Sequence, residues 1–407
     1  MTSQDATRAD IETSDVSGCA TKMAIGEDYS ELRDGVRRIC SRYPGEYWRN
    51  LDRESAYPTE FVHELTQAGY LAALIPAEYG GSGLPLRAAA VILEEINAQG
   101  CTASQGHAQM YIMGTLLRHG SEAQKQKYLP KIATGELRLQ AFGVTEPTTG
   151  SDTTQLKTRA IRDGDHYVVN GQKVWTSRAM HSDLMLLLAR TTPIADGARK
   201  TDGISVFLID LREARGHGLE MRAIDAMINH NTTEVFFDNL RIPRSSLIGE
   251  EGKGFRYILD GMNAERILVA SEAIGDGRWF VKRAVSYAQE RQVFGRPIGA
   301  NQGVQFPIAH AHAELEAADL LARRAAALFD SGQSCGADAN MAKMLASEAT
   351  WNAAEAAMQT FGGFAFAREY DIERKWRECR IYKTAPISTN LILAYVSQHV
   401  LGMPRSY

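Results

Sequence analysis

A multi-domain α+β fold is what this sequence predicts, with an N-terminal helical domain, a middle β-barrel or sandwich domain and a C-terminal four-helix bundle. Three observations predict it. The chain has 407 residues, too many for one ordinary domain and enough to bury substantial cores. Apolar residues recur at three- and four-residue intervals as far as Leu137, shift towards alternation between Leu137 and Leu247, and return to the helical interval after Gly252-Lys253-Gly254. The last helical runs are longer than a surface helix needs, which points to a bundle. The divisions fall at 1–138, 139–249 and 250–407.

In order along the chain, Pro58-to-Ala68, Leu84-to-Asn97, Gln105-to-His119 and Ser121-to-Ile132 read as helices, punctuated by Gly69, Gly80-Gly81 and Gly135. Lys157-to-Asp163, His166-to-Val169, Leu184-to-Ala189, Gly203-to-Ile209 and Thr233-to-Phe237 read as strands. Asp163-Gly164-Asp165 is a hairpin turn, and Asn170-Gly171 reads as a second turn. Phe255-to-Gln289, Phe306-to-Ser331 and Gly336-to-Gln359, rich in Ala, Leu and Glu, form the long C-terminal helices. The alanine face Ala309, Ala311, Ala313 and Ala317 is expected to make close helix–helix contacts rather than a site.

Charge and cysteine usage narrow the function classes. The 45 Lys+Arg against 49 Asp+Glu give a formal charge of -4 with no basic block, which argues against a nucleic-acid surface. Cys19, Cys40, Cys101, Cys335 and Cys379 are scattered and odd in number, so they read as free thiols in a reducing compartment. None of the ten histidines has metal-like spacing, so no metal is expected. The N-terminal stretch MTSQDATRADIETSD carries acids and no apolar core, unlike a signal or transit peptide. No apolar run approaches the roughly 20 residues that span a bilayer. A cytoplasmic protein is expected.

The stretch from Phe142 to Ser177 carries the strongest chemical signal. It joins the polar loop Thr145-Glu146-Pro147-Thr148-Thr149-Gly150-Ser151-Asp152 to a run ending in Trp175-Thr176-Ser177. Hydroxyls and glycine-exposed N–H groups suit a phosphate or carbonyl, and Trp175 offers a flat apolar surface to a ring system. By themselves these residues fit equally well a β-turn and an edge strand around a core tryptophan. No Rossmann GxGxxG or Walker-type GxxxxGK[ST] occurs, so any nucleotide cofactor needs another scaffold.

Phe142-Gly143-Val144-Thr145-Glu146-Pro147 with Gly150-Ser151-Asp152, the Asn170-to-Trp175 run, Arg291-Gln292-Val293-Phe294-Gly295 and Gln359-Thr360-Phe361-Gly362-Gly363 occur in an order that resembles the acyl-CoA dehydrogenase family of flavoproteins over nearly the whole chain. The resemblance implies FAD bound between the β domain and the C-terminal helices of a homotetramer, a dimer of dimers. It implies that Phe142, Val144, Thr145, Trp175 and Ser177 flank the isoalloxazine ring and that Ser151 lies near the acyl thioester. From the neighbouring subunit, Arg291, Phe294, Gln302, Gln359, Gly362 and Gly363 are expected at the adenine and pyrophosphate part, and Ser388 is assigned to the cofactor too. The residue chemistry agrees, because Arg291 can pair bidentately with phosphate and Gly362-Gly363 lets backbone approach it. Alone, Arg291 equally suits a solvated helix end and Gln359 a helix cap.

The family's reaction needs a carboxylate to take the α-proton of an acyl-CoA. Some members place it after the last signature, where this chain has Ala385-Pro386-Ile387-Ser388, and proline has no acid–base group. Isovaleryl- and long-chain-type members place it in the helix after the β domain, just before an arginine, where this chain has Asn263-Ala264-Glu265-Arg266. The resemblance therefore makes Glu265 the base candidate, with Arg266 steadying the loop or the CoA moiety and Asn263 near the pantetheine. The apolar neighbours Ile267, Leu268, Val269 and Ala270 favour burial and a raised pKa. A Glu-Arg pair on a helix is also ordinary surface decoration. Asp371 and Glu378, among Arg374, Lys375, Arg377 and Arg380, are expected to form a structural ionic cluster.

The implied activity is dehydrogenation of an acyl-CoA to the trans-2-enoyl-CoA, with electrons passed to an electron-transferring flavoprotein. Pro386 keeps open a flavin oxidase or monooxygenase of the same fold, and a non-catalytic assembly protein is a further alternative. Met110, Tyr111, Tyr257 and Met262 either close the pocket to long acyl chains or face the core.

Overall fold

The computed structural model describes residues 27–194 and 199–405; Cys19 and the acidic N-terminal stretch lie outside the described residues. The chain opens with α1 (Ser30–Cys40), α2 (Gly45–Glu54), α3 (Thr59–Gln67), α4 (Leu86–Ala98), α5 (Ser104–His119) and α6 (Glu122–Thr134). Helix α6 is entered through a capping box in which Ser121 and Gln124 satisfy each other's backbone N–H, and it stops at Gly135 in the left-handed region (φ 79°). Helix α4 is buried from Leu86 to Asn97 because it lies between the other N-terminal helices and the long helices that follow.

Next come β1 (Leu139–Gly143), β2 (Arg159–Asp163), β3 (His166–Ser177), β4 (Leu184–Arg190), β5 (Ile204–Asp210), the short α7 (Leu211–Ala214), β6 (Leu219–Ala223), β7 (Thr232–Pro243) and β8 (Leu247–Ile248). They form one sheet in the order β6-β7-β3-β2-β4-β5-β8, with β1 parallel to β4. Two antiparallel halves meet at β2 and β4 through the single pair Arg159–Arg190, so the sheet folds over its own core.

The Asp163-Gly164-Asp165 hairpin joins β2 to β3 as expected, with Asp163 opposite His166 and Gly164 at φ 59°. Asn170-Gly171 is not a turn. It lies inside β3, at a register shift against β7, where a Cβ on Gly171 would come 2.5 Å from Thr158 Oγ1. Close approach between strands explains this glycine, and Asn170 Oδ1 accepts the Asn239 N–H at 2.9 Å.

Helix α8 (Gly254–Glu290) runs 37 residues and is followed by the ribbon β9 (Gln292–Val293) and β10 (Arg296–Pro297). Then α9 (Gln302–Asp330), α10 (Gly336–Phe361), α11 (Ile372–Cys379) and α12 (Thr389–Tyr395) complete the described chain. The long helices share a core dominated by alanine, including Ala311, Ala318, Ala322, Ala346 and Ala353. Of the expected alanine face only Ala311 is buried; Ala309, Ala313 and Ala317 are exposed in this chain. Helix α8 crosses α4 so closely that a Cβ on Gly275 would stand 2.2 Å from the Glu94 carbonyl oxygen. Arg33 of α1, Glu94 of α4 and Arg278 of α8 pair at that crossing, and Arg278 and Arg323 both reach Asp319 of α9, at 3.1 and 2.8 Å.

The expected ionic cluster is present around α11. Arg374 pairs with Asp371 and Glu378, Lys375 with Asp276, and Arg377 with Asp52 and Glu373. Arg380 lies apart, over the Trp351 ring. No described helix is long and apolar enough to cross a membrane.

Candidate functional site

A cavity of about 370 Å³ opens where α5, α8, the sheet and the segment before α12 converge, and it gathers much of the predicted site. Phe142, Val144 and Thr145, at and just beyond the end of β1, line it with Trp175 and Ser177 of β3, Glu265 of α8 and Pro386. The β1 loop is held from behind by a buried ion pair. Lys173 Nζ donates to Val144 O at 3.0 Å and to Glu146 Oε1 at 2.8 Å, and the Glu146 carboxylate accepts the Lys157 and Thr158 N–H groups at 2.6 and 2.9 Å. Burial pushes Lys173 down to about 8; burial alone would raise Glu146, but Lys173 and the N–H donors outweigh it and hold the carboxyl low.

Trp175 sits at a register shift in β3 with φ 61°, and this bulge leaves its indole 59% exposed at the cavity wall. The indole therefore presents a large flat apolar face at the cavity wall instead of filling the core of its own sheet.

Glu265 is 6% exposed, and its Oε2 is buried without a hydrogen-bond partner. Burial raises its pKa to about 7, partly offset by His107, Arg266 and Lys343. A carboxyl so placed combines an unpartnered oxygen on a cavity-lining residue with a proton affinity near neutrality, a combination that suits a general base. The opposite wall of α8 carries Asn263 and Arg266, joined by an Arg266 Nη1 to Asn263 Oδ1 hydrogen bond at 3.0 Å. They line a second, open cleft with Cys335, Gly336 and Tyr395, and Leu259 borders both spaces. Lys343, fully buried, donates to Ile387 O at 2.7 Å and ties the Pro386 segment to α10.

Ser151 is exposed in the loop, between Gly150 and Thr153, which do line the cavity. Ser388 accepts the Leu391 N–H as the cap of α12. Arg291, Phe294, Gln302, Gln359, Gly362 and Gly363 lie elsewhere. Arg291 ends α8, 26 residues beyond Glu265, which at 1.5 Å per residue is about 40 Å away. There its guanidinium rests on the Phe364 ring at 5.6 Å, Phe294 is wholly exposed, and nothing lies within 4 Å of a Cβ added to Gly362 or Gly363. Apart from Asn263 and Arg266 in the second cleft, and Ser151 and Ser388, the predicted residues form two groups within one chain. The cavity group can hold a ring and present a base, and the distant group is an open aromatic, cationic and glycine surface suited to a phosphate-bearing tail.

Tyr111 and Met262 line the cavity, whereas Met110 is in the core and Tyr257 stacks on His119 at 4.2 Å. The sequence reading missed His107, Arg178, His230 and Glu272, which also line it. A buried acid in the apolar run Val269-Ala270-Ser271-Glu272-Ala273-Ile274, seven residues after Glu265, was the available signal for Glu272. Among the described residues no group of three or more His, Cys, Asp or Glu is placed to hold a metal ion.

Three family models match successive segments of the chain. Residues 26–136 match the acyl-CoA dehydrogenase N-terminal domain, 141–240 the middle domain and 252–390 the C-terminal domain. The chain is 34% identical over 390 residues to acyl-CoA dehydrogenase fadE12 of Mycobacterium bovis, covering 95% of this chain and 99% of that protein. The crystal structure of an acyl-CoA dehydrogenase from Geobacillus kaustophilus superposes with a TM-score of 0.86 at 28% identity, over 92% of this chain and 98% of that one. The FAD complex of PigA superposes with a TM-score of 0.84 at 27% identity, over 93% and 98%.

Proposed function

We infer from one established fact, that this chain belongs to the acyl-CoA dehydrogenase family, that it converts an acyl-CoA to the trans-2-enoyl-CoA and passes the electrons to an electron-transferring flavoprotein. The protein is an oxidoreductase acting on acyl-CoA, with FAD as its cofactor. The residues present fit that group. Trp175, turned out of its core, with Phe142, Val144, Thr145 and Ser177 would hold the ring, and the open Gly362-Gly363 and Arg291 surface would hold the phosphates of a neighbouring copy's cofactor. When bound, FAD supplies the acceptor for the hydride that leaves the β-carbon.

The chain's own residues do the rest. Glu265 Oε2, buried and unpartnered, takes the α-proton. Burial raises its basicity, and the nearby Arg266 and Lys343 limit that rise so that the carboxylate is still populated near neutral pH. The apolar walls formed by Phe142, Val144, Ile258 and Val269 exclude water from the reacting carbons. Asn263 and Arg266, on the cleft side of α8, suit the pantetheine arm, and Ser151 the thioester end. Glu265 and Arg291 stand about 40 Å apart along one helix, so in this reading the two groups serve different cofactors, and one copy of a homotetramer, a dimer of dimers, completes another's site. Domain divisions at 138/139 and 249/250 and a cytoplasmic location belong to the same reading.

The observation that carries the reading is Glu265, a near-neutral carboxyl with a free oxygen in the cavity walled by Trp175. The test is anaerobic addition of acyl-CoAs to the purified flavoprotein, following loss of flavin colour and formation of the enoyl product. Bleaching that is reversed by an electron-transferring flavoprotein faster than by oxygen supports the reading. A fully flavin-loaded protein that no acyl-CoA bleaches, or one reoxidised by oxygen at its turnover rate, refutes it.

A further inference from the structure

The cavity continues past Glu265. The stripe of α8 that faces it, Ile258, Met262, Glu265, Val269 and Glu272, extends two further turns, about 10 Å at 1.5 Å per residue. This deep end is polar. His107 Nδ1 lies 3.0 Å from Glu272 Oε1, an ion-pair approach whose angle leaves that oxygen without a hydrogen bond. Arg178 stands in the turn after β3, its backbone fixed by hydrogen bonds to Asn231 O at 2.8 Å and from His181 N at 3.0 Å. The residue is 7% exposed and lines the cavity, and its buried Nε and Nη1 have no partner. Among the described residues no carboxylate pairs with it.

A guanidinium cannot shed its proton at any ordinary pH, so its charge stays although burial lowers its proton affinity. An alkyl chain laid against it would bury an uncompensated cation with neither water nor a partner, the costliest arrangement a site can hold. His230 beside it is pushed down to about 3, by burial first and then by Arg178, and so contributes no charge. Among the described residues that line the cavity Arg178 is the one guanidinium or ammonium group, and Glu272 already acts on it, so the charge balance favours a singly charged anion over a doubly charged one.

We propose that Arg178 binds a carboxylate at the far end of the acyl group, so that the preferred substrates are CoA monothioesters of dicarboxylic acids. The proposal rests on the acyl-CoA reading and goes beyond it in naming the substrate class. A planar carboxylate can take two parallel N–H donors from one edge of the guanidinium, Nη2 with either Nε or Nη1, and an apolar terminus would leave those donors unpaired.

The experiment compares succinyl-, glutaryl- and adipyl-CoA, each with the analogue whose terminal carboxylate is replaced by an isopropyl group, on the flavin-loaded enzyme. Binding is read by calorimetry and kcat/KM by anaerobic bleaching. The carboxylate member of at least one pair should win by about tenfold or more, the range expected of a charge-assisted hydrogen bond. Arg178→Met should abolish or reverse that preference with flavin content unchanged, and Arg178→Lys should restore part of it. The proposal is overturned if the isopropyl member wins at every length, or if Arg178→Met keeps the preference. Loss of FAD from Arg178→Met with the preference intact at restored occupancy also overturns it, by assigning the guanidinium to the cofactor. If no thioester bleaches the flavin, the dehydrogenase reading fails separately, and the calorimetric preference still decides the role of Arg178.

Discussion

Glu265→Gln should keep the fold and the flavin and remove the half-reaction, because the amide retains the shape of the carboxyl but cannot accept the α-proton. A positioned base contributes about 10²–10⁴-fold, and the loss should fall in or above that range. The raised pKa adds a second, independent readout. With Glu265 at about 7, roughly one tenth of the carboxyl is ionised at pH 6 and roughly nine tenths at pH 8, so wild-type bleaching should quicken about tenfold over that span while the mutant's residual rate stays flat.

Stability should move the opposite way. The folded pKa lies above the ordinary 4.5, so the neutral carboxyl is comfortable in the fold at low pH, and stability falls as pH rises from about 4.5 through about 7. That fall is on the order of 3 kcal/mol at 1.4 kcal/mol per pH unit. The amide of the Glu265→Gln variant does not titrate. The mutant's urea midpoint, relative to wild type, should therefore rise between pH 5 and pH 8. The assay is anaerobic stopped-flow bleaching at equal flavin occupancy, paired with urea unfolding at both pH values. A wild-type rate flat between pH 6 and pH 8, together with a mutant within a few-fold of wild type, would exclude Glu265 as the base.

The other expectations concern the parts that hold the site. Lys173→Met strands the buried Glu146 charge and should cost about 3–5 kcal/mol and release flavin, whereas adding Glu146→Gln should recover part of the loss; equal unfolding midpoints for wild type and Lys173→Met would show that the pair carries nothing. Gly275→Ala should destabilise by about 1–3 kcal/mol, since its Cβ meets the Glu94 carbonyl at the α4–α8 crossing, and an unchanged thermal midpoint would refute that packing. Arg291→Ala should weaken FAD retention on dialysis, and Gly363→Ala should do the same without changing stability because its Cβ meets nothing within the chain. Unchanged flavin content in both would remove this surface from the cofactor site, and a tetramer lost with flavin affinity intact would mark Arg291 as an interface residue.

Helix, sheet, helix was legible because each part has a sustained apolar period, and the hairpin because Gly164 must take a left-handed turn. Asn170-Gly171 misled for a tertiary reason: the glycine serves the approach of Thr158, just before β2, which no local pattern reveals. Ala309, Ala313 and Ala317 are exposed in this chain because the buried stripe of α9 runs through Ile308, Ala311, Leu315 and Ala318 at three- and four-residue spacing, which leaves the other alanines outside it. Glu265 was found through its place before Arg266, and the structure adds what sequence lacked, its burial and its unpaired oxygen. Arg178, His107, His230 and Glu272 come from the end of β3, α5, the stretch before β7 and α8. Each is ordinary alone, and only the packing of four distant segments makes them neighbours.

Glu265 and Glu272 are carried by one unbroken 37-residue helix, with the cavity residues Arg178 and His107 supplied by other elements. In the proposed reading, reactivity and substrate choice lie on different residues of one rod. Exchanging Glu272 or Arg178 should alter what the enzyme accepts while Glu265 stays in place, whereas His107 touches both, because it also offsets the rise in the Glu265 pKa.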